Sequence, residues 1–201
     1  MTEPAPIRDK TDEELAREAR AGSRRSFEEL ARRYKRRLFV YLRPRLGSDQ
    51  DAEDMVQETF LKLFRNIRNY NPAFRFSTWL YTSAGRLAIS SFRGRRFVGE
   101  RMRGEARDVS PDPAERMAED AASDNLWDAA RTLGGNQFRA LWLRYGEDMT
   151  VDEIARALGK SRLSVRVLLH RARMNLAKRL SPAPGRAKAA ETAAAGETTP
   201  G

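Results

Sequence analysis

Cysteine is absent from the 201 residues. That excludes a disulfide framework, a thiolate zinc site and a cysteine nucleophile. One histidine, His170, leaves almost no basis for histidine-ligated metals or histidine acid–base chemistry. No apolar run approaches the ~18 residues that a membrane-crossing helix needs. Met1 to Lys10 carries charges and two prolines where a secretion signal would have an apolar segment. No P-loop, GxGxxG or HExxH pattern occurs. Strand-type alternation and internal repeats are missing too. The expectation is a cytoplasmic, non-enzymatic protein with no cofactor, no metal and no small-molecule substrate.

What the chain has in excess is positive charge. Lys plus Arg is 38 against 28 for Asp plus Glu, a formal charge of +10. Such a balance favours a polyanionic partner: nucleic acid, an acidic protein surface or anionic lipid. An apolar content of 40% beside 33% charged residues suits small cores. Pro, Gly and charge clusters divide the chain into a tail (1–10), a first domain (11–97), a linker (98–121), a second domain (122–181) and a tail (182–201). The tails and linker read as disordered or flexible. The fold class is all-α: two small helical domains on a flexible linker, the second with a helix-turn-helix. Such a linker lets the domains reorient on binding, and a free form with the two clamped together would indicate autoinhibition.

In the first domain, Thr11-x-x-Glu14 and Ser26-x-x-Glu29 fit capping boxes. After Ser26, Phe27, Leu30, Ala31, Tyr34, Leu38, Tyr41 and Leu42 form one helical stripe, stopped by Pro44 and Gly47. Asp51 opens the next helix, with Val56, Phe60, Leu63, Phe64 and Ile67 inward and Asn71-Pro72 as the stop. Ser77 caps a third, through Trp79, Leu80, Leu87, Ile89 and Phe92. In the second domain, helices are expected over 122–133, 137–145, 151–158 and 161–180.

Three constellations carry chemistry. Thr150–Arg173 reads as a capped amphipathic helix, a tight turn at Gly159 and a basic second helix. Val165 and Leu169 face the core, and six Lys/Arg with no acidic residue lie between Arg162 and Arg179. Such a helix enters a major groove, Arg reading guanine and neighbouring Arg holding phosphates. The second is aromatic and basic: Phe74, Phe76, Trp79 and Tyr81 with Arg75, Arg86, Arg93, Arg95 and Arg96. Rings stack on unpaired bases and guanidiniums neutralise phosphate, although Trp79 and Phe92 also sit at core spacing. The third is acidic: Asp49, Asp51, Glu53, Asp54 and Glu58, with Gln57 beside them. These residues suit either a helix N-terminus or docking to a basic surface.

The segments DAEDMVQETFLKLF, FSTWLYTSAGRLAISSFRGRR and TVDEIARALGKSRLSVRVLLHRARMNL, in this order, resemble bacterial RNA polymerase sigma factors of the extracytoplasmic-function (ECF) type. The resemblance implies a dissociable polymerase subunit that selects promoters and aids their melting. It places contacts to the clamp of the beta-prime subunit on Asp54, Gln57, Glu58 and Leu61. It places −10 element contacts on Trp79, Arg86, Ser90, Arg93, Arg95 and Arg96. It places −35 element contacts on Arg162, Arg166, Val167, Arg171 and Arg173. The implied partners are core RNA polymerase, promoter DNA and an anti-sigma protein. This chain departs from the family where Arg86 replaces a usual Asn and Ser90 a frequent Asp. It departs again where Val167 and Leu168 replace polar residues, and where Leu133-Gly134-Gly135-Asn136 replaces a Leu-Pro turn. From the residues alone two other readings stand: a helix-turn-helix regulator independent of polymerase, and a helical interaction module whose basic charge serves solubility or lipid binding.

Overall fold

The computed structural model describes residues 6–46, 48–97 and 121–180, and side chains for all of these except 91–97 and 121–125. The expected linker, apart from Ala121, and the expected C-terminal tail lie outside the described residues. The described backbone is helical with no strand. The front bundle comprises α1 (Asp12–Arg20), α2 (Arg24–Leu46), α3 (Asp49–Arg65) and α4 (Phe76–Phe97), with a 3-10 turn at Ile67–Asn69. The back bundle comprises α5 (Ala121–Arg131), α6 (Gly135–Leu141), a π turn (Trp142–Gly146), α7 (Val151–Leu158) and α8 (Arg162–Leu180).

Local chemistry explains most of the boundaries. The Thr11 hydroxyl accepts from the Glu14 amide at 3.2 Å, and Glu14 accepts from the Thr11 amide at 2.7 Å, so the expected capping box opens α1. Ser26 does not open α2. The helix begins at Arg24, where the Ser23 hydroxyl accepts from the Ser26 amide, and Ser26 lies buried in the first turn, donating to Glu18 at 2.6 Å. Nor does Pro44 end α2, which runs on to Leu46. A proline this near the C-terminus removes one amide bond, and burial of Leu38, Tyr41, Leu42 and Leu46 outweighs that loss. α3 starts two residues before Asp51, because Ser48 accepts from the Asp51 amide at 3.0 Å. Ser77 is likewise no cap: α4 starts at Phe76 and the Ser77 hydroxyl is buried without a partner. In the back bundle, 137–145 was expected as one helix. The α-helix stops at Leu141 and the chain passes into the wider π turn.

The front core is aromatic. Phe76, Tyr41 and Tyr81 are fully buried, with Tyr41 against Tyr81 (ring centroids 4.8 Å) and Tyr34 against Phe76 (5.6 Å). Edge-to-face pairs of this kind lock ring orientation beyond the effect of area alone. Residues 6–10, expected as tail, form turns held by Arg33. Its guanidinium donates to the Lys10 and Arg8 carbonyls and to Asp12, each at 2.8 Å. The back core closes around Trp127, Phe138 and Trp142, where Trp127 and Trp142 meet at 5.1 Å. The two bundles are in contact: α7 lies across α4, and α6 against α2.

Arg32 and Arg33 both donate to Glu29. Chiefly through the Arg32 hydrogen bonds, then those of Arg33, its carboxyl is drawn down to about 2. A lowered carboxyl pKa contributes stability that is present above the ordinary value of 4.5 and lost as pH falls through about 2. Glu29→Gln should therefore flatten the acid limb of unfolding between these pH values, followed by far-ultraviolet circular dichroism.

Candidate nucleic-acid interface

Helical geometry sorts the anticipated residues into three faces. On α3, Asp54, Gln57, Glu58 and Leu61 fall at three- and four-residue steps and all face solvent. The opposite side buries Ala52, Met55, Val56 and Leu63. Leu61 is 55% exposed. Phe64, one turn on, is also largely exposed while its ring leans on Phe27 at 5.1 Å. The acidic side chains and Leu61 thus stand in solvent, while Phe64 divides its ring between Phe27 and solvent.

On α4, Trp79, Arg86 and Ser90 share one face, four or seven residues apart. Trp79 is half-buried, held by Tyr70 (5.5 Å) and Phe76 (6.0 Å). Its ring is thus partly core and partly surface. Arg86 and Ser90 are exposed. Arg93, Arg95 and Arg96 continue along the α4 backbone, and their side chains lie outside the described residues.

On α8, only Val165, Leu169 and Ala172 are buried. Arg166, Val167, Arg171 and Arg173 point outward. Arg162 does so too, and donates to Asp152 at 2.7 Å. The helix is set by the α7 capping box, in which the Thr150 hydroxyl accepts from the Glu153 amide and the Glu153 carboxylate accepts from the Thr150 amide. Gly159 then takes φ +63°, a left-handed conformation that favours glycine, and the Ser161 hydroxyl accepts from the Ser164 amide to start α8. Arg166 and Arg173 share an open pocket of about 420 Å³ with Arg144 and Thr150. Arg144 was not anticipated, since it lies before the motif. The outer face of α8 is also apolar in part, with Leu163 71% and Val167 42% exposed. Gly134 and Gly135 stand in open space, so nothing around them requires glycine.

The contact between the bundles was not anticipated in any residue. Glu147 is buried between them and takes a bidentate ion pair from Arg37 (3.0 and 2.7 Å) and a hydroxyl bond from Tyr81 (2.6 Å). Burial pushes the Glu147 carboxyl up, and the Tyr81 hydroxyl and Arg37 offset part of that. Burial likewise drives the Tyr81 hydroxyl far up. Thr78 donates to Glu153 at 3.0 Å, Arg75 to the Asp148 carbonyl at 3.2 Å, and the Arg156 guanidinium lies 4.6 Å over the Phe74 ring. Arg139 enters the front bundle, stacks 4.8 Å over Tyr41 and donates to its hydroxyl, yet its Nε has no partner. Arg37 and Glu147 are 110 positions apart, and no periodicity links them. Among the described residues no cluster of His, Cys, Asp or Glu suits a metal ion, and no helix is long and apolar enough to cross a membrane.

Comparison with known proteins fits this geometry. The Sigma-70 region 2 model matches residues 30–98 and the Sigma-70 region 4 model matches residues 123–176. The ECF RNA polymerase sigma factor BldN of Streptomyces coelicolor is 33% identical over 171 residues, covering 83% of this chain and 65% of that protein. RNA polymerase sigma factor CarQ of Myxococcus xanthus is 30% identical over 155 residues, covering 76% of this chain and 87% of CarQ. The chain thus spans slightly under two thirds of BldN but most of CarQ. The fold resembles that of the sigma factor RpoE from Bartonella quintana, solved with the anti-sigma factor NepR (TM-score 0.61, 21% identity, 77% of this chain and 96% of that one). It also resembles CnrH solved with the cytosolic domain of CnrY (TM-score 0.56, 24% identity, 84% and 96%). The chain belongs to the ECF group of RNA polymerase sigma factors.

The turn into α8 gives a local test. Gly159→Ala places a β-carbon at φ +63° with no steric neighbour, so the loss is conformational, about 1–2 kcal/mol. A lowered thermal midpoint of the back bundle, with the α7 cap intact, is the expected result.

Proposed function

We propose that this chain joins core RNA polymerase and directs it to promoters bearing a matched pair of elements. The observation that carries the reading is the α3 face. In a chain of charge +10, Asp54, Gln57, Glu58 and the bare Leu61 form an outward acidic-apolar stripe inside the region 2 match. An acidic rim with an apolar centre suits a basic protein surface such as the polymerase clamp, where rim charge steers encounter and the apolar side chain supplies anchoring. A stand-alone DNA-binding regulator would leave this stripe without a task.

The remaining roles divide by chemistry. Trp79, Arg86 and Ser90, with Arg93, Arg95 and Arg96 further along α4, engage the −10 strand. Held by Tyr70 and Phe76, Trp79 is a stacking surface for an unpaired base. Arg162, Arg166, Arg171 and Arg173 contact the −35 duplex, and Arg144 adds a phosphate contact beside Arg166. Val167, apolar and outward, reads a thymine methyl or the groove wall rather than a hydrogen-bonding base edge. The work is binding and strand separation rather than bond chemistry, and the site of action is the cytoplasm, where the polymerase is. Because RpoE was solved with the anti-sigma factor NepR, a protein inhibitor of this chain is a further expected partner.

Purified chain should co-elute with core polymerase and support transcription from its own promoters in vitro, and failure to join the core would overturn the proposal. Asp54→Ala and Leu61→Ala should each weaken core binding by more than about 1 kcal/mol without loss of helix, as expected of interface anchors. Arg171→Ala should leave core binding intact and reduce −35-dependent transcription by about 1–3 kcal/mol if it reads a base.

A further inference from the structure

We propose that the cleft between the two bundles is a nucleotide site, in which a purine base lies against Trp79 and its phosphate is held by Arg86 and Lys160. The site stands on geometry alone, and its competition with the −10 strand rests on the function above.

The cleft has a volume of about 890 Å³, within the range of small-molecule sites, and its two walls differ in chemistry. The front wall is a fixed aromatic surface. Trp79 is half-buried and wedged against Tyr70 at 5.5 Å and Phe76 at 6.0 Å, so its ring is already oriented. The Tyr70 hydroxyl donates to the Phe74 carbonyl at 2.7 Å, and the Asn71 side chain accepts from the Ala73 amide at 3.0 Å. These bonds tie the turn and leave Phe74 44% exposed in the lining. Stacking on rings held in place costs little ordering. A purine covers more of such a surface than a pyrimidine does. Asn69 and Asn71 add side-chain amides, groups able to donate to and accept from a base edge.

The back wall, the turn between α7 and α8, supplies charge. Arg156, Lys160 and Arg162 come from it, and Arg86 adds a fourth cation from α4. Asp152 is the one carboxylate in the lining, and Arg162 donates to it at 2.7 Å. Arg156 is committed to the Phe74 ring, 4.6 Å from its centroid. Arg86 and Lys160 are exposed, and among the described residues neither has a carboxylate partner. Two uncompensated cations beside a bare aromatic wall fit a ligand that is flat at one end and anionic at the other. A nucleotide has that form. An acidic peptide would satisfy the cations and leave the rings bare, and a neutral ring would leave the cations bare.

The walls belong to different bundles. A ligand that touches Trp79 and Lys160 together needs both, whereas a strand bound along α4 needs only the first. The two sources of a base with a phosphate, a free nucleotide and a promoter strand, are therefore separable at Lys160. A nucleotide in the cleft withholds Trp79 from the −10 strand, which makes it an inhibitor of initiation.

The test titrates the full chain in a calorimeter with the mono- and diphosphates of adenosine and guanosine, and separately with the two nucleosides, ribose 5-phosphate and inorganic phosphate. At least one nucleotide should bind one-to-one and at least about tenfold more tightly than its nucleoside, as a charge-assisted phosphate contact requires. Trp79→Leu should weaken that binding at least about fivefold through lost stacking. Lys160→Gln, at an exposed position, should weaken it at least about fivefold, keep the helical circular dichroism and leave the affinity for a single-stranded DNA of about a dozen nucleotides within about twofold. Saturating nucleotide should displace that DNA. No saturable binding by any of the four nucleotides at millimolar concentration overturns the proposal. So does binding that the nucleoside or inorganic phosphate matches, and so does nucleotide bound together with DNA without displacement. An equal loss for nucleotide and DNA in Lys160→Gln overturns it too, because the cleft would then be an end of the strand's own track. A chain that binds nucleotide as described but never joins core polymerase keeps the site and refutes the sigma function, and one that joins the core but binds no nucleotide does the reverse.

Discussion

A single desolvated carboxylate organises the relation between the two halves of this molecule. Glu147 leaves water only because Arg37 offers two parallel N–H groups and Tyr81 a hydroxyl in a fixed place. A buried charge of this sort adds little net stability, since desolvation consumes most of the Coulomb gain, but removing a partner from it is severe. Its effect is therefore geometric. It selects one docking pose among the many that two basic helical bundles could adopt, because any other pose strands a charge.

Charge is partitioned along the same logic. The α3 face is acidic and apolar, and the outer side of α8 carries Arg166, Arg171 and Arg173 beside the exposed Leu163 and Val167. The two surfaces are offered to different macromolecules and do not neutralise each other within the chain. Acid and base meet instead inside the front bundle, as at Arg33–Asp12 and Arg33–Glu29, between the bundles at Arg37–Glu147, and beside the turn of the back bundle at Arg162–Asp152. A net +10 thus belongs to specific faces, which gives it directional value in steering.

Much of the architecture was legible because it is written in local chemistry. Thr11–Glu14, Thr150–Glu153, Gly159 and Ser161 each mark a terminus through their own hydrogen bonds or backbone preference, and each was placed from spacing alone. The stripes of α2 and α3 gave the inward faces correctly at Leu30, Leu38, Val56 and Leu63. The misplaced starts are near misses. Ser26 and Asp51 each lie three residues after a serine, Ser23 or Ser48, whose hydroxyl accepts from their amide, and Ser77 falls one residue inside α4. Leu46, two residues past Pro44, shows packing overriding a helix breaker. The three outward faces were legible as well, because a helix displays what its core does not use. The bundle contact was not legible. It rests on pairs such as Tyr41–Arg139 and Thr78–Glu153, distant in the chain and without periodic signal.

Gly85 carries a consequence of that contact. A glycine within a helix costs roughly 0.5–1 kcal/mol relative to alanine, so the stability of the front half alone would favour replacing it. A side chain there is felt first where the bundles touch, because its β-carbon would stand 2.9 Å from the Ala157 carbonyl oxygen and 3.1 Å from an Arg139 nitrogen.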